Sequence, residues 1–241
     1  MLVESPQTLS SQVQAAALEL VWPTRCAGCE KPGCLLCPEC ISSLDYTEAE
    51  YACPWCGAPY GWLVCTECYS AAGRLVHNFS LAVSTLTLDE LAGGIVVIYK
   101  DNNERGLAPV LAELLLQSIP SSWQKWAEAI TWIPSDSRTL RRRGFEHMEP
   151  IANAVGQALD LPVLRILHKR RSRDQRRLNR QERISNLREG FSLLNPQQTL
   201  PARLLLLDDV FTTGASLDAA AQLLRENGAE EVRTACLARV W

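Results

Sequence analysis

Two groups of residues in this 241-residue chain have types and spacings suited to chemistry. The first is Leu204 to Ser216, reading LLLLDDVFTTGAS. Four consecutive leucines predict a strand buried in a parallel sheet. The strand is expected to end at two adjacent carboxylates, Asp208 and Asp209, before a turn made of Thr212, Thr213, Gly214, Ala215 and Ser216. A helix then begins, with Leu217, Ala220, Leu223 and Leu224 on one face and Asn227-Gly228 as its stop. The turn's backbone N–H groups and the positive end of the helix dipole suit a phosphate dianion. Gly214 allows close backbone approach, and the hydroxyls add donors. The two carboxylates can accept hydrogen bonds from vicinal ribose hydroxyls. The segment therefore reads as a cradle for ribose 5-phosphate. A buried strand before an ordinary capped helix needs neither two acids nor three hydroxyls in this order.

The second group is eight of the ten cysteines, set in four C-x-x-C pairs: Cys26/Cys29, Cys37/Cys40, Cys53/Cys56 and Cys65/Cys68. Each pair can present two thiolates to one tetrahedral metal, and a second pair closes a four-cysteine site. The expectation is two structural zinc ions. Ligand pairing is open between sequential and cross-braced arrangements. Disulfides are disfavoured without an export signal, and an iron–sulfur cluster is the competing metal reading. Residues 22–70 contain few Leu, Ile or Val, so metal binding would supply most of their folding free energy. Trp55, Tyr60, Trp62 and Tyr69 could cover the metals or stack on bases. Cys34 and Cys236 have no paired partner, and Cys236 reads as a core residue.

The elements that must position these groups follow from the rest of the chain. An apolar content of 47% is ample for a core. No apolar run approaches the ~20 residues of a membrane span, and the first twenty residues lack Lys and Arg, so the chain reads as cytoplasmic. Val13–Val21 reads as a short amphipathic helix. Residues 1–74 are assigned to a cysteine-rich double zinc module and residues 75–241 to an α/β domain. In the latter, strands are expected at Leu81–Leu88, Ala129–Ile133, Leu204–Leu207 and Val232–Leu237. Helices are expected at Glu90–Tyr99, Leu107–Gln117, Glu146–Leu159 and Ala219–Glu226. This alternation predicts an open, mostly parallel sheet whose ligand loop lies at a strand's carboxyl end, where strand order reverses.

A net charge of −3 conceals a basic band: residues 138–188 hold 14 Lys/Arg against 5 Asp/Glu. Such a band favours a polyphosphate or a nucleic-acid backbone. Within it, IPSDSRTLRRRGF (Ile133–Phe145) reads as a strand end and an arginine-rich turn. Its residues Arg138, Arg141, Arg142 and Arg143 are suited to pyrophosphate. Lys169–Phe191 is highly charged and reads as a mobile lid. His77, His147 and His168 form no evident nucleophilic constellation.

Leu204–Ser216 resembles the phosphoribosyl-diphosphate (PRPP) motif of type I phosphoribosyltransferases at all thirteen positions. The whole layout is similar to the ComF family of competence-associated proteins, GntX-like members included. The matching stretches are YKDNNERGLAPVLAELL, RTLRRRGF, QRRLNRQERISNLREGF and LLLLDDVFTTGAS. The chain differs from that family's pattern at Ile133-Pro134-Ser135-Asp136, which has one proline, and at Glu146-His147, where Asn-Gln is usual. The resemblance implies a zinc module fused to a type I phosphoribosyltransferase fold. It also implies displacement of pyrophosphate from PRPP, with magnesium, by an unknown nitrogen acceptor. Asp208 and Asp209 would hold the ribose as catalytic residues, Thr212–Ser216 the 5′-phosphate, and Lys100, Arg138 and Arg142 the pyrophosphate. The implied cellular role is DNA uptake in natural transformation. A second class of function is single-stranded DNA binding through the band 138–188. A third is docking on a DNA helicase or recombination protein through the zinc module. No G-x-x-x-x-G-K-[ST] loop is present, which argues against a motor.

Overall fold

The computed structural model describes residues 23–48, 51–58, 64–65, 68–69, 77–170 and 190–240. The expectations for Val13–Val21, Tyr60, Trp62 and most of the Lys169–Phe191 segment lie outside these residues. Packing divides the chain into two compact units, Met1–Leu44 and Asp45–Trp241. The described part of the first is a cysteine-rich loop with one short helix, α1 (Pro38–Ser42).

The larger unit is built on a four-stranded parallel sheet. Its strands are β1 (Leu81–Thr87), β2 (Ala129–Trp132), β5 (Arg203–Phe211) and β6 (Glu231–Arg239), in spatial order β1-β6-β5-β2. The chain crosses from the β1 edge to the β2 edge and then doubles back through β5 and β6, so strand order reverses beside β2 and β5. Leu204 to Leu207 are fully buried between the two neighbouring strands, as an uninterrupted apolar run requires. The sequence places the end of this strand at the acid pair. Pairing instead continues, with Asp208 opposite Cys236, Val210 opposite Ala238 and Phe211 opposite Arg239. Residues Asp45–Thr47 run antiparallel along the outer edge of β1.

The helices are α2 (Glu90–Lys100), α3 (Ala108–Ser118), α4 (Ser121–Trp126), α5 (Ser137–Arg143), α6 (Met148–Leu159) and α7 (Ala215–Glu226). Asp89 caps α2 by accepting from the Ala92 N–H at 2.8 Å. The arginine-rich segment after β2 is a helix rather than a turn. Asp136 caps it at the amino end, accepting from the Arg138 and Thr139 N–H groups, and Gly144 closes it in the left-handed conformation at φ 77°. Short strands β3 (Leu167–Lys169) and β4 (Phe191–Leu193) pair antiparallel and bring the two ends of the 170–190 segment together. No described helix is long and apolar enough to cross a membrane.

Candidate functional site

The carboxyl ends of β2 and β5 supply the walls of a cleft of about 330 Å³. Ile133, Pro134, Ser135 and Asp136 follow β2, and Asp208, Asp209 and Val210 come from β5. Thr139 and Arg143 enter from α5, Lys100 from the end of α2, His147 from the start of α6, and Lys169 from β3. A second cavity of about 230 Å³ shares Asp208, Val210, Thr212 and Ser216 with the first and is lined by the whole turn to Leu217.

The turn forms around Gly214, at φ 71° and ψ 0°, which serves as the N-cap of α7 without a side-chain cap. The first-turn N–H groups of a helix have no intrahelical acceptor and suit an anion, although here the Ala215 N–H at the start of α7 reaches Thr213 Oγ1 at 3.4 Å. Thr212, Thr213, Gly214, Ala215 and Ser216 thus lie together with Asp208 around one cavity.

Asp208 and Asp209 are both nearly buried but differ in surroundings. Asp209 Oδ2 takes the His147 Nε2–H at 2.6 Å and pairs with the Lys100 ammonium. Burial pushes the Asp209 carboxyl upward, but the His147 hydrogen bond and the Lys100 charge outweigh it and hold the group below the ordinary carboxylate range. Among the described residues Asp208 has no side-chain hydrogen bond from a cation or imidazole, and the Lys169 and Lys100 charges only partly offset what opposes its ionisation. Burial first, and then the neighbouring Asp209 charge, push its pKa up to about 7. Its Oδ1 accepts the Asp209 N–H at 3.0 Å.

His147 is the residue that the sequence reading missed. Both ring nitrogens face partners: Nε2 meets Asp209, while Nδ1 lies 3.1 Å from Ser135 Oγ and 3.3 Å from Glu146 Oε1. Burial disfavours the imidazolium, but the Asp209 and Glu146 carboxylates outweigh burial and raise its pKa. The buried Glu146 carboxylate accepts the Ser135 N–H at 2.8 Å and the Ser135 O–H at 2.9 Å. Burial opposes its charge, and the His147 and Ser135 hydrogen bonds more than compensate, so its pKa is lowered. The available signal was a charged pair set between Phe145 and Met148, two residues that are themselves buried.

Of the pyrophosphate candidates, Lys100 lines the cleft, whereas Arg138 and Arg142 are exposed outside it. Arg142 pairs at 3.3 Å with Asp101. Helix phase explains the difference. Thr139 and Arg143, four residues apart, share the face of α5 that meets the cleft. Arg143 also reaches Asp101 at 3.2 Å.

The cysteines gather into two clusters, Cys26/Cys29/Cys37/Cys40 and Cys53/Cys56/Cys65/Cys68, each with its four sulfurs within 4.8 Å of one another. Pairing is therefore sequential. None of the ten cysteines is joined in a disulfide. Backbone N–H groups of Gly28 and Cys37 point at Cys26 Sγ, and that of Cys65 at Cys53 Sγ, at 3.3–3.4 Å. N–H donors aimed at sulfur suit thiolates, so each cluster fits a tetrahedral metal with no open position. Trp55 packs against the buried core, while Tyr69 is exposed. Cys236 is a buried core thiol.

Residues 141–240 match the family model described as phosphoribosyl transferase domain. The chain is 30% identical over 230 residues to the DNA utilization protein YhgH of Salmonella typhi, covering 91% of this chain and 99% of the relative. It is 28% identical to the competence protein ComFC of Streptococcus pneumoniae, covering 85% and 87%. It is 32% identical to competence protein F of Haemophilus influenzae, covering 58% and 65%. Among solved structures, the orotate phosphoribosyltransferase of Aeropyrum pernix aligns over 70% of this chain and 83% of its own. That alignment has 16% identity and a TM-score of 0.33.

Proposed function

The chain belongs to the ComF family and carries a phosphoribosyltransferase-type α/β domain, and from that premise we propose that it binds PRPP and serves DNA uptake in natural transformation. The observation that carries this reading is the turn Thr212–Ser216, set around a left-handed Gly214 at a helix N-terminus and sharing one cavity with Asp208. In this reading the turn holds the 5′-phosphate and the acid pair faces the ribose hydroxyls. Asp209 is kept ionised by Lys100 and His147, so it remains an acceptor throughout the neutral range. Lys100, Arg143 and Lys169 offset the negative charge of a diphosphate. The reaction is displacement of pyrophosphate from C1 by a nitrogen nucleophile through an oxocarbenium-like transition state. The residues contribute positioning and charge stabilisation. Magnesium would enter with the diphosphate, as a hard cation that needs few protein ligands. The two cysteine clusters hold structural zinc.

The test is calorimetric titration of magnesium and PRPP into the zinc-loaded protein, beside the Asp208→Asn/Asp209→Asn variant. Saturable binding that disappears in the variant is expected. No heat from the wild type would sink the reading.

A second reading is favoured by the exposure of Arg138, Arg141 and Arg142 on the outer face of α5, away from the cleft. There they suit the backbone of single-stranded DNA rather than the sugar phosphate. Such binding should weaken steeply with salt and respond to charge reversal at these arginines, while Asp208→Asn leaves it intact.

A further inference from the structure

The second cysteine cluster is embedded differently from the first. Its cysteines belong to the same buried cluster as Phe79, Phe211 and Leu217, residues that support the phosphate turn. The C-P-W-C knuckle closes through the Gly57 N–H to the Cys53 carbonyl at 2.9 Å. It rests on the backbone of β1, where a Cβ on Gly57 would lie 3.1 Å from the Ala82 carbonyl oxygen.

From this knuckle a run of direct contacts leads to the turn. Arg239, the last residue of β6, is 3% exposed and donates from Nη1 to the Cys56 carbonyl at 2.7 Å. Its guanidinium lies 4.0 Å from the centre of the Phe211 ring, and Phe211 is its register partner on β5. Phe79 meets the same ring edge-on, with centroids 6.2 Å apart. At the far tip of the ring stands Gly214, where an added Cβ would fall 2.5 Å from Phe211 Cζ.

We propose that the second four-cysteine centre, when metal-bound, is a strut for the phosphate turn, with Arg239 and Phe211 as its positioning residues. A metal that fixes Cys53 and Cys56 also holds the Cys56 carbonyl, in the peptide that joins the second ligand to Gly57. A buried guanidinium holds to that acceptor, because losing it would leave donors unpaired away from water. The guanidinium in turn sets the plane of the Phe211 ring. The ring leaves room for glycine alone, and so sets where the turn's N–H groups stand. The effect on a ligand rests on the phosphate reading of the turn, whereas the coupling of knuckle to turn does not.

The experiment uses the full-length, zinc-loaded protein and Arg239→Met, with amide hydrogen exchange and calorimetric titration of ribose 5-phosphate as readouts. Arg239→Met leaves all eight paired cysteines in place and should retain the metal content of the wild type. Its amides at 212–217 are expected to exchange about tenfold faster, while those at 204–207 are unchanged. Affinity for ribose 5-phosphate falls about tenfold. A Cys56→Ser variant that folds should show the same local pattern with one metal fewer. Unchanged exchange at 212–217 in Arg239→Met overturns the strut. So does acceleration spread evenly over β5, which would mean general destabilisation. Faster exchange confined to the turn in Arg239→Met, with no ribose 5-phosphate binding by the wild type, supports the strut and sinks the phosphate reading.

Discussion

At the scale of single residues, the acid pair and its neighbours make stability depend on pH. Asp208 has a folded pKa of about 7 against an ordinary value of 3.8, so the native state holds a proton that the unfolded chain has released. Its contribution to stability therefore falls as pH rises through that interval. His147 is raised above its ordinary 6.5, so the stability it contributes is full below that value and is lost as pH climbs through its folded pKa. Asp209 is depressed and works in the opposite sense, losing its contribution only as pH falls below the ordinary carboxylate range. Thermal midpoints should therefore decline from pH 6 to pH 9, with a shallower slope in His147→Gln. An identical slope in the variant would exclude His147 as the source. Glu146 acts at the same scale, because its carboxylate takes the Ser135 N–H that a diphosphate oxygen could otherwise use. Glu146→Gln keeps an acceptor for Ser135 but removes a buried negative charge. Affinity for PRPP should rise about fivefold on relief of that repulsion. A calorimetric affinity that is unchanged or weaker would mean that Glu146 does not oppose the diphosphate.

At the scale of elements, α5 decides which cations reach the cleft. It is a seven-residue helix with no buried residue, so it carries no apolar periodicity from which it could be read. Its caps, Asp136 and Gly144, make it a helix, and its phase turns Thr139 and Arg143 inward while Arg138 and Arg142 face out. Arg143→Gln should weaken PRPP binding about tenfold and Arg142→Gln by less than about twofold, each read by calorimetry. The reverse order would mean that the helix presents a different face in solution. Asp136→Ala should cost about 1 kcal/mol of stability through the lost cap, seen as a lower denaturant midpoint. The four leucines of β5 were legible because an apolar run has one meaning in a parallel sheet. The extension through Asp208 and Asp209 was not, since acids are rare in strands and the pairing of Val210 and Phe211 depends on β6. Strands β3 and β4, three residues each, exist through mutual pairing across more than twenty residues. His147 escaped for the same reason: its partner Asp209 lies 62 positions away.

At the scale of the whole molecule, the sequence presents the two cysteine clusters as near repeats, with seven and eight residues between their pairs. Spacing reveals the ligands but not what surrounds them. The first cluster lies in the compact unit that ends at Leu44, where Leu36 and Leu44 are the buried aliphatic side chains among the described residues. The second shares its buried surroundings with the sheet and with α7. Metal binding adds its free energy to whichever cooperative unit contains the ligands. Cys29→Ser should then remove one metal and leave the main thermal transition within about 2 °C of the wild type. Cys53→Ser should also remove one metal but lower that transition by on the order of 10 °C, given the few degrees per kcal/mol usual for a unit of this size. Calorimetric melting with metal analysis checks both. Equal shifts would mean that the clusters stabilise a single cooperative unit, whereas unequal shifts in this order mean that the second metal belongs to the fold that carries the acid pair and its turn.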